Sequence, residues 1–324
     1  MKNILVTGAT GFIGHEVANQ LVRKGYRPRL MVRRPIRGIL LNSLDAELMQ
    51  GDLSQPESLK RLVAGMDSVI HLGAMATFES YSKVKPSIVD GSIHLMHAAI
   101  EEGVENFIYG GSLLVYDNQT RPINQETASR ACSGYCQAKL EAESRMEDLA
   151  GKGSVNFTSL RLPHVYGAQS LLFHQIRKGK VFFPGTGDNL FAHLHVADAA
   201  RALITAAETG LKGTYVIADN LSCTWNDFFE ITQGFYPRLK VIHIPERLAL
   251  SVTGALDIIL GFSKTPNRFS QDAVKSWNMS LPVVSGTLSD VLNLEPQYPT
   301  IAEGIPAVLD GTLCFTWCPS NLDH

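Results

Sequence analysis

Tyr135 and Lys139 lie four residues apart in a stretch with helical patterning, so their side chains share one face. An ammonium beside a phenol stabilises the tyrosinate and lowers the tyrosine from its ordinary value of about 10. A phenol tuned in this way can give or take the proton of an alcohol while a hydride moves at the carbon. A Y-x-x-x-K spacing alone is a frequent accident, and its weight comes from the residues around it. Ser112 stands just past an apolar run, in Gly110-Gly111-Ser112-Leu113-Leu114-Val115-Tyr116. A hydroxyl at the end of a parallel strand can hydrogen-bond a substrate oxygen, and that position favours it over a plain turn serine.

A second constellation opens the chain. Gly8, Gly11 and Gly14 fall three apart in Val6-Thr7-Gly8-Ala9-Thr10-Gly11-Phe12-Ile13-Gly14, between a predicted strand and a predicted helix. One glycine serves the turn, one lets a pyrophosphate approach the backbone, and one lets helix and strand pack closely. The helix N-terminus then offers free N–H groups to the phosphates, with Thr10, Phe12 and Ile13 among the contacts. One βαβ unit later, Arg33 and Arg34 end the second strand. A carboxylate there would suit the ribose hydroxyls of NAD, whereas arginine suits the 2′-phosphate of NADP. NADP is the expected cofactor and NAD the alternative. Asp52, with Leu53 after it, follows the third strand; it can accept a hydrogen bond from an adenine amino group or cap the next helix.

These residues need a frame. Apolar runs at 3–7, 29–32, 46–50, 68–72, 106–110 and 156–161 read as strands, and helical patterns fall near 12–24, 56–65, 86–102 and 134–150. The alternation predicts a doubly wound α/β Rossmann fold with a parallel sheet. A strand at 213–218 and a helix at 196–207 return to it. The predicted organisation is a dinucleotide-binding domain over 1–167 with returns near 193–220, a smaller mixed substrate-binding lobe over 168–192 and 221–312, and a tail at 313–324.

With 324 residues, 45% apolar, 19% charged and a net charge of −2, the chain has no basic surplus for nucleic acid. Five cysteines in no framework spacing read as free thiols of a reduced, cytoplasmic setting, although Cys314 and Cys318 could pair or hold a metal. The apolar stretch from Leu248 to Phe262 is interrupted by Asp257 and reads as a buried or interfacial helix, with peripheral membrane contact the less favoured reading. His195 and Asp198 have near-ligand spacing, but structural hydrogen bonding is favoured and no metal is expected.

The glycine turn, serine and tyrosine–lysine pair, in this order, resemble the extended short-chain dehydrogenase/reductase superfamily of NAD(P)-dependent epimerases, dehydratases and reductases. Asp52-Leu53, His71-Leu72-Gly73-Ala74, Arg161-Leu162-Pro163-His164-Val165-Tyr166-Gly167, Gly185-Thr186-Gly187-Asp188 and His195-Val196-Ala197-Asp198 extend the resemblance over nearly the whole chain. It implies Tyr135 as acid/base, Lys139 on the nicotinamide ribose, Ser112 on the substrate oxygen, and Leu72, Gly73, Ala74, Leu162, Pro163 and Val165 along the cofactor. It also suggests a homodimer. This sequence departs from the pattern with Ile88 where an asparagine is frequent, and with Gly110 and Gly111 for serines, which should loosen the strand end.

Met75, Thr77, Leu113, Leu114 and His164 are the candidate substrate contacts, and His164 replaces an asparagine frequent in sugar enzymes. Residues 244–250 and 292–298 resemble the 3β-hydroxysteroid dehydrogenase-like branch. The expected activity is hydride transfer between NADP(H) and a secondary alcohol or ketone of an apolar steroid-, isoprenoid-, polyketide- or acyl-like substrate. The alternatives are a nucleotide-sugar epimerase or dehydratase with tightly held NAD, for which Arg268 is a candidate diphosphate ligand, and a non-catalytic dinucleotide-binding subunit or sensor.

Overall fold

A computed structural model describes residues 2–260 and 270–313. The first strand, β1 (Ile4–Thr7), is buried at all four positions, as a strand covered on both faces must be. After it run α1 (Phe12–Arg23), β2 (Arg29–Val32), β3 (Glu47–Gln50), α2 (Pro56–Val63), β4 (Ser68–His71), α3 (Tyr81–Lys85), α4 (Gly91–Glu101), β5 (Asn106–Ser112), α5 (Gly134–Lys152) and β6 (Asn156–Leu162). Then come β7 (His164–Tyr166), α6 (Leu171–Arg177), β8 (Lys180–Pro184), β9 (Leu190–Phe191), β10 (His193–His195), α7 (Val196–Thr209) and β11 (Gly213–Val216). The chain continues with β12 (Cys223–Thr224), α8 (Trp225–Phe235), β13 (Lys240–Ile244), α9 (Glu246–Leu260), α10 (Gln271–Trp277), α11 (Thr287–Leu292) and α12 (Ile301–Leu313).

The central sheet is parallel throughout, in the order β11-β6-β5-β4-β1-β2-β3. The order reverses between β1 and β4, which opens a crevice at the C-terminal ends of those strands. Helices α1, α7 and α11 cover one face through Val17, Leu21, Leu203 and Leu288; α2, α4 and α5 cover the other through Leu59, Leu95, Ala142 and Met146. A third apolar cluster, with Phe173, Phe183, Trp225, Phe228 and Ile305, lies in the later part of the chain and also takes Leu113, Val115 and Ile123. The small pairs β7–β10, β9–β12 and β8–β13 stand outside the main sheet.

The helix expected over 86–102 begins earlier and is interrupted. It starts at Tyr81 and passes through a π turn, Pro86–Asp90, before α4. Pro86 lacks an N–H, and the Gly91 N–H reaches back five residues to the Pro86 carbonyl. The glycines at 110 and 111 do not loosen β5, which stays in register with β6 as far as Ser112 opposite Leu162. A Cβ on Gly110 would lie 2.4 Å from Leu72 Cδ2, so the glycine admits a close neighbour. Arg268, Cys314, Cys318 and the tail after Leu313 lie outside the described residues.

Candidate active site

The glycine turn forms a cradle that larger residues would fill. Gly8 has φ +73°, and a Cβ on it would lie 2.7 Å from the Leu72 carbonyl carbon; one on Gly14 would lie 2.2 Å from the Gly8 oxygen. Gly11 caps α1 with no side-chain acceptor, so first-turn N–H groups remain for an anion. Around the turn, Thr10 is exposed, Phe12 and Ile13 are half-buried, and Gly14 is buried. Thr7 fastens the neighbouring loop: its Oγ1 accepts from Leu72 N at 3.2 Å and Gly73 N at 3.1 Å, and pairs with His71 Nδ1 at 2.7 Å. His71 Nε2 continues to Ser92 Oγ at 2.9 Å, a use of this buried histidine within the fold. Leu72, Gly73 and Ala74 are thereby pinned beside the cradle, and the residues present fit a dinucleotide.

Arg33 and Arg34 are exposed at the end of β2. Burial raises the Asp52 carboxyl, but hydrogen bonds from Ser54 and the charge of Arg33 outweigh it and hold the group below the usual carboxylate range. Asp52 Oδ1 accepts from Ser54 N at 2.9 Å and Ser54 Oγ at 2.8 Å, a turn leading into α2. Leu53 is buried among residues of α2 and α4, with its carbonyl 3.1 Å from His94 Nδ1.

Ser112, Tyr135 and Lys139 converge where β5 meets α5. The Ser133 hydroxyl accepts from Cys136 N at 3.3 Å and so starts α5, placing Tyr135 in its first turn. The Tyr135 phenol lies near the Ser112 hydroxyl, which acts on it electrostatically and whose Oγ accepts from Leu114 N at 3.2 Å. Lys139 Nζ donates to the Gly110 carbonyl at 2.6 Å and sits 4.1 Å over the Tyr109 ring. Burial pulls this ammonium down to about 7, opposed by Glu143. Glu143 is itself paired with Arg161 and Ser159, and Arg161 donates to Tyr116 at 2.7 Å.

The lowering of Tyr135 expected from Lys139 does not occur. Tyr135 is raised above its ordinary value, because burial outweighs the effect of the Ser112 hydroxyl. Lys139 spends its short bond on Gly110 and the Tyr109 face, so in the protein alone it does not lower the phenol.

Ser112 opens on an apolar cavity of about 190 Å³. Leu113, Leu114, Pro163 and His164 line it, as does Phe78, whose ring meets Tyr135 edge-on at 5.5 Å. Met75 and Thr77, expected as substrate contacts, do not line it. Met75 packs against the α2–α4–α5 core and the Thr77 hydroxyl is buried. Leu162 is buried beneath the site and Val165 is half-buried. The remaining wall is Phe191, Trp225, Ser276 and Trp277, none of which the sequence singled out. The Thr224–Asp227 capping box marks where α8 starts and hence where Trp225 sits, but not what it faces.

His195 and Asp198 serve the fold. His195 Nδ1 accepts from Ala197 N at 3.2 Å, and Asp198 accepts from Gln297 N, Tyr298 N and Arg201.

Residues 4–218 match the model of the NAD-dependent epimerase/dehydratase family. The chain belongs to that family. Among curated relatives, it is 25% identical to a ceramide reductase of Caulobacter vibrioides over 98% of this chain and 97% of that protein. It is 28% identical to a 2-alkyl-3-oxoalkanoate reductase of Stenotrophomonas maltophilia over 65% of this chain and 66% of that one. In fold it resembles UDP-glucose 4-epimerase of Thermotoga maritima, solved with UDP-glucose, with TM-score 0.76, 21% identity and coverage of 96% and 99%. MoeE5 in complex with UDP-glucose and NAD gives TM-score 0.75 at the same identity and coverage. Membership brings dependence on a nicotinamide dinucleotide.

Proposed function

We propose that the chain is an NADP(H)-dependent reductase, or in reverse a dehydrogenase, acting on a ketone or secondary alcohol of an apolar substrate. The observation that carries this reading is Ser112, grouped with Tyr135 and Lys139 where β5 meets α5, lining a cavity walled by aromatic and aliphatic side chains. That wall suits an acyl, sterol-like or polyketide chain and offers little to a nucleotide diphosphate. The relatives named for ceramide and 2-alkyl-3-oxoalkanoate reduction agree with it.

The cradle around Gly8, Gly11 and Gly14, the Leu72–Ala74 loop and the Arg33–Arg34 pair would hold the cofactor. When bound, the nicotinamide supplies or receives the hydride. Ser112 Oγ hydrogen-bonds the substrate oxygen and orients the carbonyl. Tyr135 OH gives that oxygen its proton in reduction and takes it back in oxidation. The raised phenol stays protonated at neutral pH, which suits the reductive direction. Lys139 anchors the β5 end through Gly110 and would hold the nicotinamide ribose. On this reading residues 1–167 with 193–220 form the cofactor-binding part, and 168–192 with 221–312 the substrate-binding part.

The test is consumption of NADPH with a panel of aliphatic 3-oxo esters and cyclic ketones. Wild-type protein should oxidise NADPH in step with alcohol formed. Tyr135→Phe should lose about 10²-fold or more in turnover while NADPH binding stays within about twofold. Undiminished turnover in that variant would reject the role of the phenol. A tightly held dinucleotide with UDP-sugar interconversion and no net NADPH use would replace the reading with an epimerase.

A further inference from the structure

Among the described residues of the cavity wall, His164 is the ionisable one. Its Nδ1 lies 3.0 Å from Nδ1 of His193, so one proton is shared between the two rings. His193 is fully buried, stacked on Phe228 and edge-on to Trp225. Its other nitrogen, Nε2, is buried with no hydrogen-bond partner among the described residues. Two arrangements of the shared proton are open. In one, His164 donates, which leaves His193 Nε2 as a buried N–H without an acceptor. In the other, His193 donates, which leaves His193 Nε2 as a buried lone pair. Buried N–H groups without an acceptor are rarer in folded proteins than unfilled acceptor sites, and this favours His193 as the donor. His164 Nδ1 then accepts, and its proton sits on Nε2, the nitrogen this bond leaves for the cavity.

Burial keeps both rings neutral: His164 is pulled down to about 3 and His193 well below its ordinary value, with His164 beside it. A neutral N–H in an apolar box favours an uncharged acceptor oxygen over a carboxylate. Its place relative to the reacting centre follows from register. Ser112 pairs with Leu162 across β5 and β6, and His164 is two residues further on. An interstrand spacing of about 5 Å and two extended residues put the Cα atoms of Ser112 and His164 on the order of 8 Å apart. Side chains from both line the same cavity, so two oxygens of one small molecule can be served together.

We propose that His164, held in one tautomer by His193, donates from Nε2 to a second, uncharged carbonyl oxygen of the substrate. The site thereby selects ketones that carry such an oxygen near the reacting carbonyl, as 3-oxoacyl esters, thioesters and amides do. This rests on the proposed ketone reduction for the identity of the reacting carbonyl. The histidine pair is a specificity device, with Ser112 and Tyr135 left to the chemistry.

Binding and turnover separate the two ideas. Trp225 and Trp277, two of the chain's three tryptophans, wall the cavity and report its occupancy by fluorescence. Methyl 3-oxooctanoate would be compared with 5-decanone, a ketone of the same chain length without the ester oxygens. With NADP⁺ present, wild-type protein should bind the oxo ester about tenfold tighter or more. His164→Phe should erase that preference, read as the ratio of the two ketone affinities, while NADPH is still bound. His164→Gln, which restores an N–H donor, should recover part of it. Should His164→Phe fail to bind NADPH, His193→Phe serves instead, because it removes the partner nitrogen and should weaken the preference. Equal binding of both ketones by wild type, a preference that survives His164→Phe, or no quenching by either ketone would overturn the proposal. A binding preference without NADPH consumption would overturn the redox reading alone. NADPH consumption with no preference would overturn this inference alone.

Discussion

Tyr135 and Lys139 sit on one helical face, and each is shifted by burial toward its neutral form. Tyr135 is raised and Lys139 is drawn down to about 7. Spacing revealed the pair but not the balance, because desolvation depends on what packs above the helix and not on the helix itself. The arginines at the end of β2 carry the next residue-scale expectation. Replacing Arg33 and Arg34 together with alanine should weaken NADPH binding by about 10- to 100-fold and leave NADH binding nearly unchanged, as measured by titration. An equal loss for both dinucleotides would remove the 2′-phosphate argument. His71 carries a pH expectation. Burial and the charge of Lys139 pull it down to about 3, against about 6.5 when unfolded. Between those values the unfolded chain binds the extra proton. Stability therefore falls as pH drops below about 6.5, by up to about 1.4 kcal/mol per pH unit for each such histidine. The buried His193 acts in the same direction. Denaturant unfolding at pH 7 and pH 5 should show the loss, and His71→Asn should make it shallower.

Among the elements, the strand, glycine turn and helix that open the chain were the most legible. The strand–glycine turn–helix unit is local in sequence, so period and glycine spacing together specify it. Its tight packing gives a direct expectation. Gly14→Ala puts a Cβ 2.2 Å from the Gly8 oxygen, so the turn must shift. The substitution should cost about 1–3 kcal/mol of stability and weaken dinucleotide binding about tenfold or more. Thermal melts with and without NADPH would check both, and an unperturbed cradle would show that α1 can move aside. The π turn before α4 was not legible, because one proline inside a helical pattern does not reveal whether the helix breaks, kinks or bulges. The cavity wall was half legible. Leu113, Leu114, Pro163 and His164 flank recognisable motifs, whereas Phe191, Trp225, Ser276 and Trp277 come from segments with no local chemical signature. Only the long-range packing of β9, α8 and α10 brings them together.

At the scale of the molecule, the parallel sheet supplies the crevice and the later segments supply the cavity beside it. Asp198 is one of the ties between these parts. A fully buried carboxylate at the start of α7, it accepts backbone N–H groups from Gln297 and Tyr298 and pairs with Arg201. The third apolar cluster joins Leu113 and Val115, next to Ser112, to residues as far away as Leu309. The end of β5 is thus built into the same core as the cavity wall. The most direct measurement of the central claim is single-turnover transfer from NADPH deuterated at the transferring position of C4, with a 3-oxo ester as acceptor. One deuterium should appear on the carbinol carbon of the alcohol, with transfer lost in Tyr135→Phe. Deuterium that never leaves the dinucleotide, or a UDP-sugar converted with no alcohol formed, would contradict the claim.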